Sequence, residues 1–427
     1  MTDTSADQRT DDILLVVGGG QPEYRWWDLD QLRSRYQLKL ISARESTWER
    51  SYFTQIELAD PHDEKAMTAA AERIMRNGPV KGVLSYHEPA IEAAAELAGR
   101  LGRSALPAAA ARLCRDKHEA RRVFAEHQVP SAQSRLALSE NEALTAAAEI
   151  GLPVIVKPRA MAASFGVSLA SDQEQVRHAF GVANVQLLND PWTAKPPGVL
   201  IEEYLDGPEL SIDSLVVAGR VTPLIFAAKL LGFPPYCEEV GHIAGPAQDV
   251  CGDRLAEVLD VVAQAHAAVG VQFGATHTEL RLTTRGVRVI ELNGRSGGDC
   301  IGYLGYLASG VNLPLGTAAA ACQQDITPAA GLGPETAAGA AGIGFCYPPG
   351  PGVVTAIGFA PASPLAHHVD RLDLLAQPGQ RIEFREGRMH NARAGYAIVT
   401  GRTVAECADR LAQATAAFCC DIEPAGD

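Results

Sequence analysis

Lysine is scarce in this chain: seven occur among 427 residues, against thirty arginines. An anionic ligand would meet few ammonium groups, so each well-placed lysine is worth following. Positive charge is short overall. A net charge of −14 argues against nucleic acid or an anionic membrane surface as the main partner. No apolar run is long enough to span a bilayer. The stretch Met1 to Asp12 is polar and acidic, unlike a secretion signal, so the expected compartment is the cytosol. Nine cysteines are scattered, odd in number and without a CxxC, which argues against a zinc site or redox pair and leaves most as small buried hydrophobes. Gly18-Gly19-Gly20 is not a dinucleotide fingerprint, because the third glycine of that pattern would fall at Glu23.

What is present is globular: 47% hydrophobic and 21% charged residues, with length for two to four domains. Ile13 to Val17 reads as a buried parallel strand ending in a tight turn, residues 82–86 as another, and Ala90 to Leu101 as a helix. Alternating strands and helices predict a small doubly wound α/β unit over residues 1–112. Helices follow over Arg115 to His127 and from Ser139, whose Ser-x-x-Glu pattern is a capping box, to Gly151. Val154 to Pro158 is a strand. Residues 198–205 and 209–217 are expected to pair with each other through a turn at Asp206-Gly207-Pro208. A helix from Asp253 to Val269 precedes a hairpin, and after about residue 330 a small terminal α+β domain is expected.

The hairpin carries the strongest chemistry. His277 to Arg281 and Ile290 to Arg295 alternate polar and apolar residues, and Thr284-Arg285-Gly286 predicts a three-residue loop. Pairing about Arg285 sets Glu279 opposite Glu291 and His277 opposite Asn293, all on one face. Opposed carboxylates repel unless a cation lies between them. Converging hard oxygens suit Mg²⁺ completed by phosphate oxygens.

Other residues are weaker alone. Lys157 ends an apolar strand that could deliver its ammonium to a cleft, though strand-end lysines also snorkel to water. Lys117 follows Asp116 at a helix start, where amides favour anions. The run of small residues 162–167, with Ser164 and Gly166, could close backbone amides over phosphates. Glu202-Glu203-Tyr204-Leu205 alternates like an edge strand able to pair with a purine, with Glu209 placed for ribose hydroxyls. Glu238 or Glu239 could meet a ligand ammonium, and His242 and His277 are as readily structural as functional. Arg295, followed by Gly297-Gly298, can fork a carboxylate or stabilise an oxyanion.

In this order, from Lys117 to Arg295, these residues resemble the ATP-grasp superfamily, from about residue 80 to the end. Glu291-x-x-x-Arg295-x-Gly297-Gly298 is most similar to L-amino acid ligases of the bacilysin type. The resemblance implies an ATP-grasp fold, α/β and α+β in class. It would comprise an N-terminal Rossmann-like (pre-ATP-grasp) domain, 1–112, an ATP-grasp domain, 113–330, and a small C-terminal α+β domain, 331–427. The middle domain would divide into a lid, 113–200, and a large subdomain, 201–330. It implies ATP held by Lys117, Lys157, Ser164, Gly166, Glu202, Glu203, Leu205 and Glu209. Two Mg²⁺, with Mn²⁺ as the substitute ion, would sit on Glu279, Glu291 and Asn293. Glu239, His277, Arg295 and Gly298 would bind substrate, and Arg295 and Lys157 would act in catalysis. The implied function is a carboxylate–amine ligase joining an amino acid to an amine, such as a second amino acid, through an acyl phosphate, with a homodimer as the possible assembly. The rival expectations are a biotin-carboxylase-like or purine-pathway enzyme activating bicarbonate, and a nucleotide-binding module without catalysis.

Overall fold

The computed structural model describes residues 11–188, 197–326, 337–360 and 367–424. The stretch 1–10 and the expected boundary at 330/331 lie outside the described residues. Ile13–Val17 forms β1, every side chain buried, within a parallel sheet of order β3-β2-β1-β4. Here β2 is Gln37–Ser42, β3 is Gln55–Leu58 and β4 is Val80–Leu84. A strand covered on both faces has no polar side to show, which explains the unbroken apolar run. Ile13, Leu15 and Val17 pack with Met67 and Ile74 of the helix Glu64–Met75. Leu14 and Val16 pack the other way, on Leu29 and Leu32 of the helix Pro22–Arg35. That second core also takes Leu315 and Ala318 from the helix Leu313–Ala321, which joins this unit to the rest of the chain.

A small antiparallel sheet runs β5-β8-β6-β7, with β5 Ser134–Ala137, β6 Val154–Pro158, β7 Ser168–Ala170 and β8 Val199–Glu203. The helix Glu140–Ile150 packs against it, capped by Ser139, whose hydroxyl accepts from the Glu142 amide at 3.3 Å, and stopped at Gly151, φ +93°.

The large sheet holds the strands β9 (Glu209–Val217), β10 (Arg220–Gly232), β11 (Glu238–Gly245), β12 (Phe273–Thr283) and β13 (Gly286–Asn293). To these are added β14 (Ala340–Cys346), β16 (Val369–Leu374) and β18 (Gly395–Gly401), in the order β13-β12-β9-β10-β11-β14-β18-β16. The last segment of chain therefore extends this sheet through the pairing of β11 with β14. A further small sheet joins β15 (Gly352–Phe359), β17 (Arg381–Ile382) and β19 (Phe418–Glu423). On one face Leu210, Ile212, Leu280 and Leu292 bury against the helix Leu255–Val269. Period-2 alternation turns Glu209, Asp213, His277 and Glu279 to the other.

Three expectations change. Glu209–Val217 does not pair with 199–203: β8 already has β5 and β6 on its two edges, and β9 pairs with β10 and β12. Between them Gly207, φ +82°, passes so close to the hairpin that a Cβ there would lie 2.1 Å from the Leu282 carbonyl oxygen. For the same reason Glu202 and Glu203 are not on an edge strand. The hairpin loop has two residues, not three, since Thr283 pairs with Gly286. A bulge at Ile290 then restores the expected register, so Glu279 does face Glu291 and His277 faces Asn293.

Candidate active site

Between the small and large sheets lies a cavity of about 120 Å³, with Glu279, Glu291, Asn293, Lys117 and Lys157 all on its walls. One wall is built around Glu202. Its carboxylate is forked by Arg121 at 2.9 and 3.1 Å and met by the Lys157 ammonium at 2.6 Å. Burial alone would push this carboxyl up, but Arg121 and Lys157 outweigh it and hold it at about 2. Arg121 also donates to the carbonyl of Ile290 at 2.5 Å, a group that the bulge leaves outside the register. Lys117 opens the helix Lys117–Glu126, which Asp116 caps through the amides of His118 and Glu119. Its ammonium bridges the Met161 carbonyl at 2.6 Å and Glu291 at 2.9 Å.

The facing wall gathers acids. Lys229 of β10 has a side chain with no exposed surface, and its ammonium lies 2.6 Å from Glu239, 3.1 Å from Glu279 and 3.4 Å from Glu209. Burial would lower this lysine, yet the three carboxylates hold it well above its ordinary value. The second oxygen of Glu279 meets His277 at 3.3 Å, and His277 in turn shares 2.6 Å with Asp213. Burial opposes charge on this imidazole, but Asp213 and Glu279 prevail and raise it to about 9. Asp213 also accepts from the Gly297 amide at 2.8 Å, and a Cβ on Gly297 would lie 2.9 Å from His277. The backbone after the hairpin is thereby pinned against the acid wall.

The all-oxygen donors of Glu279, Glu291 and Asn293, two acids opposed across a hairpin and facing one cavity, fit a hard divalent cation. Glu209, Glu239 and Glu279 also lie within metal-ligating reach of one another. One oxygen of Glu209 meanwhile accepts two hydrogen bonds from Arg281, at 2.9 and 3.0 Å. The loop after β6 turns through Ala163 and Ser164 at positive φ and Gly166 at +73°. Ser164 lines the cavity, whereas the Gly166 amide is engaged by the Gly387 carbonyl at 2.9 Å. The amide of Glu203 likewise goes to Gln133, at 2.9 Å, and only from Tyr204 onward does the chain leave the small sheet, with Leu205 on the cavity wall.

Arg295 borders this cavity, two further polar ones and a mainly apolar cavity of about 70 Å³. Its guanidinium donates to Glu88, which Arg115 also meets at 2.7 Å. The second cavity, about 120 Å³, is lined by Glu238, Glu239, His242, His277, Gly298 and Asp299, and no atom lies within 4 Å of where a Gly298 Cβ would be. The third, about 670 Å³, opens before the Gly18 turn and the Tyr86-His87-Glu88-Pro89 segment.

Sequence reasoning did not find Lys229, Arg121, Asp213 or Arg393. Arg393 holds Asp299 at 2.9 Å and the Glu239 carbonyl at 2.7 Å, while Glu238 takes Tyr347 at 3.2 Å. Burial pushes the Glu238 carboxyl up to about 7 against the pull of Arg393. A signal existed only for Lys229, a lone lysine in the apolar run Ala227 to Leu231 of a lysine-poor chain.

The family model of the ATP-grasp domain matches residues 150–303, and that of L-amino acid ligase C-terminal domain 2 matches residues 344–423. An uncharacterised protein of Sinorhizobium fredii is 32% identical over 208 residues, 47% of this chain and 40% of that one. Alanine–anticapsin ligase of Bacillus subtilis is 27% identical over 243 residues, 52% of this chain and 50% of that one. The chain spans about half the length, or less, of these curated relatives. Among solved structures, an L-amino acid ligase from Bacillus licheniformis superposes with a TM-score of 0.78 at 20% identity, covering 97% of this chain and 100% of that one. A phosphoribosylglycinamide synthetase from Anaerococcus prevotii reaches 0.72 at 18% identity, covering 97% and 100%. At these identities the superpositions speak for the fold. No helix among the described residues is long and apolar enough to cross a membrane.

Proposed function

We propose that this chain, whose residues 150–303 match the ATP-grasp domain and residues 344–423 the L-amino acid ligase C-terminal domain 2, is an ATP-dependent carboxylate–amine ligase joining two amino acids. One observation carries the reading: a cationic wall faces an acidic hairpin across a single cavity, and Arg295 lines that cavity and two further polar ones. A ligase of this kind needs three compartments, for nucleotide, acid and amine.

In this reading Lys117 and Lys157 bind the phosphates and the loop with Ser164 and Gly166 covers them. Glu202, Glu203 and Leu205 border the base, and Glu209 the ribose. Glu279, Glu291 and Asn293 would hold Mg²⁺, which when bound supplies charge neutralisation to the transferring phosphoryl group. The donor carboxylate lies by Arg295 and Gly298, its ammonium at Glu239 or Glu238, with His277 alongside. A carboxylate oxygen attacks the γ-phosphorus, ADP leaves, and an acyl phosphate forms. The amine then attacks the carbonyl carbon, phosphate departs with the C–O bond, and the nitrogen gives up a proton. Arg295 would stabilise the oxyanion in that second step. Closure of the loop excludes the water that would otherwise hydrolyse the acyl phosphate. The division into units 1–112, 113–330 and 331–427, the homodimer and the cytosolic location belong to the same proposal.

The test is release of phosphate from ATP over every pairwise mixture of the common amino acids, with Mg²⁺. Release that requires two amino acids supports the ligase. Release with bicarbonate alone points to the bicarbonate-activating enzymes instead, and tight ATP binding without ADP formation in any mixture to a nucleotide-binding module.

A further inference from the structure

Lys229 is the one lysine of this cleft that no sequence pattern assigned, and it sits where three roles meet. The four strands β12, β9, β10 and β11 lie side by side. Glu279, Glu209 and Glu239 come from three of them and converge on the ammonium carried by the fourth. The ammonium donates to Glu239 at 2.6 Å and forms ion pairs with Glu279 at 3.1 Å and Glu209 at 3.4 Å.

Each acid keeps a different partner on its other oxygen. Glu209 is held there by Arg281, Glu239 lies 3.4 Å from His242, and Glu279 lies 3.3 Å from His277. Every carboxylate is thus oriented from two sides, with Lys229 common to all three. If the proposed reading of the site holds, those acids serve the ribose, the donor ammonium and the metal respectively. A single internal cation then contacts the acid assigned to each of these three.

Resting on that reading, we propose that Lys229 is a positioning residue: a fixed internal cation that holds Glu209, Glu239 and Glu279 at one point and sets how strongly nucleotide binding depends on the metal. Charge balance underlies this role. Three carboxylates this close repel an incoming polyphosphate unless a cation screens them. Lys229 supplies part of that screening permanently, and the divalent ion supplies the rest when it arrives with the nucleotide. Without Lys229 the whole task falls to the ion.

The experiment is calorimetric binding of ADP to the full chain with and without Mg²⁺, for wild type, Lys229→Met and Lys229→Arg. The readout is the ratio of the two dissociation constants, which general damage to the site would leave unmoved. Lys229→Met is expected to raise the ratio of the metal-free to the Mg²⁺ dissociation constant about tenfold, because one unit charge that repels the divalent ion at protein screening is gone. Lys229→Arg should keep it near the wild-type value. An unchanged ratio in a folded Lys229→Met protein overturns the proposal. Should that variant fail to fold, the same pair is compared in a Glu239→Gln background, where losing the ammonium leaves no extra buried charge. Equal ratios for Met and Arg there also overturn it. Wild type that binds no ADP under either condition removes the nucleotide-site reading, and this role with it; wild type that binds while the ratio ignores residue 229 removes this role alone.

Discussion

The two walls of the cleft use the same chemistry to different ends. At Glu202 two cations close on one carboxylate, all three side chains at most 6% exposed, so the knot is sealed. At Glu279 carboxylates outnumber cations, and the acids keep 10–20% of their side-chain surface open to the cavity. A sealed, cation-rich knot behaves as structure with a positive field; an open, acid-rich cluster has coordination left to offer. Facing each other, they make a slot suited to an anion that brings its own cation.

The largest expected effect tests the open wall. Glu291→Gln should lower turnover by about 10³-fold or more, the several kcal/mol a bound cation contributes to phosphoryl transfer. Its denaturant midpoint should barely move. Full activity in that variant would end the metal assignment.

Glu202→Gln should do the reverse in kind. It strands the buried charges of Lys157 and Arg121, a loss of about 3–5 kcal/mol for a broken buried pair, visible as a lower denaturant midpoint at constant slope. If Glu202→Gln and Glu291→Gln cost equal stability, the contrast between the walls is false.

The walls should also part company with pH. His277, ordinarily near 6.5 and raised here to about 9, contributes stability that is complete below about 6.5 and lost as pH climbs through about 9. Glu202, ordinarily near 4.5 and held at about 2, contributes stability that is complete above about 4.5 and lost as pH falls through about 2. Unfolding midpoints of wild type against His277→Asn between pH 6 and 10 should converge as pH rises; parallel curves would show that the imidazole carries no such charge.

The smallest effect concerns two glycines, one in the loop after β6 and one lining the second cavity. Gly166→Ala forces a side chain into left-handed backbone at a cost of about 1–2 kcal/mol, and its Cβ would lie 2.8 Å from Pro158. Gly298→Ala meets nothing within 4 Å and should leave stability unchanged. Comparable thermal midpoints for the two variants would contradict this difference.

Local patterns were legible wherever one residue's neighbours decide its environment. The apolar run of β1 and the Ser139 cap with its Gly151 stop follow from periodicity and turn chemistry. The hairpin shows where this stops: the two-residue turn and the Ile290 bulge shift the register by one residue each, in opposite senses, and pattern alone cannot see two cancelling shifts. The expected pairing of 199–203 with 209–217 failed because sequence adjacency says nothing about edges already occupied by β5 and β6.

The chain by itself determined which side chains alternate together, and so which acids share a face, because strand geometry repeats every two residues. Only the tertiary structure decided what those acids meet. Lys229, Asp213 and Arg393 reach the site from strands and turns far apart in sequence, and burial makes their partners obligatory: a charge removed from water must find its counter-charge wherever packing has put it.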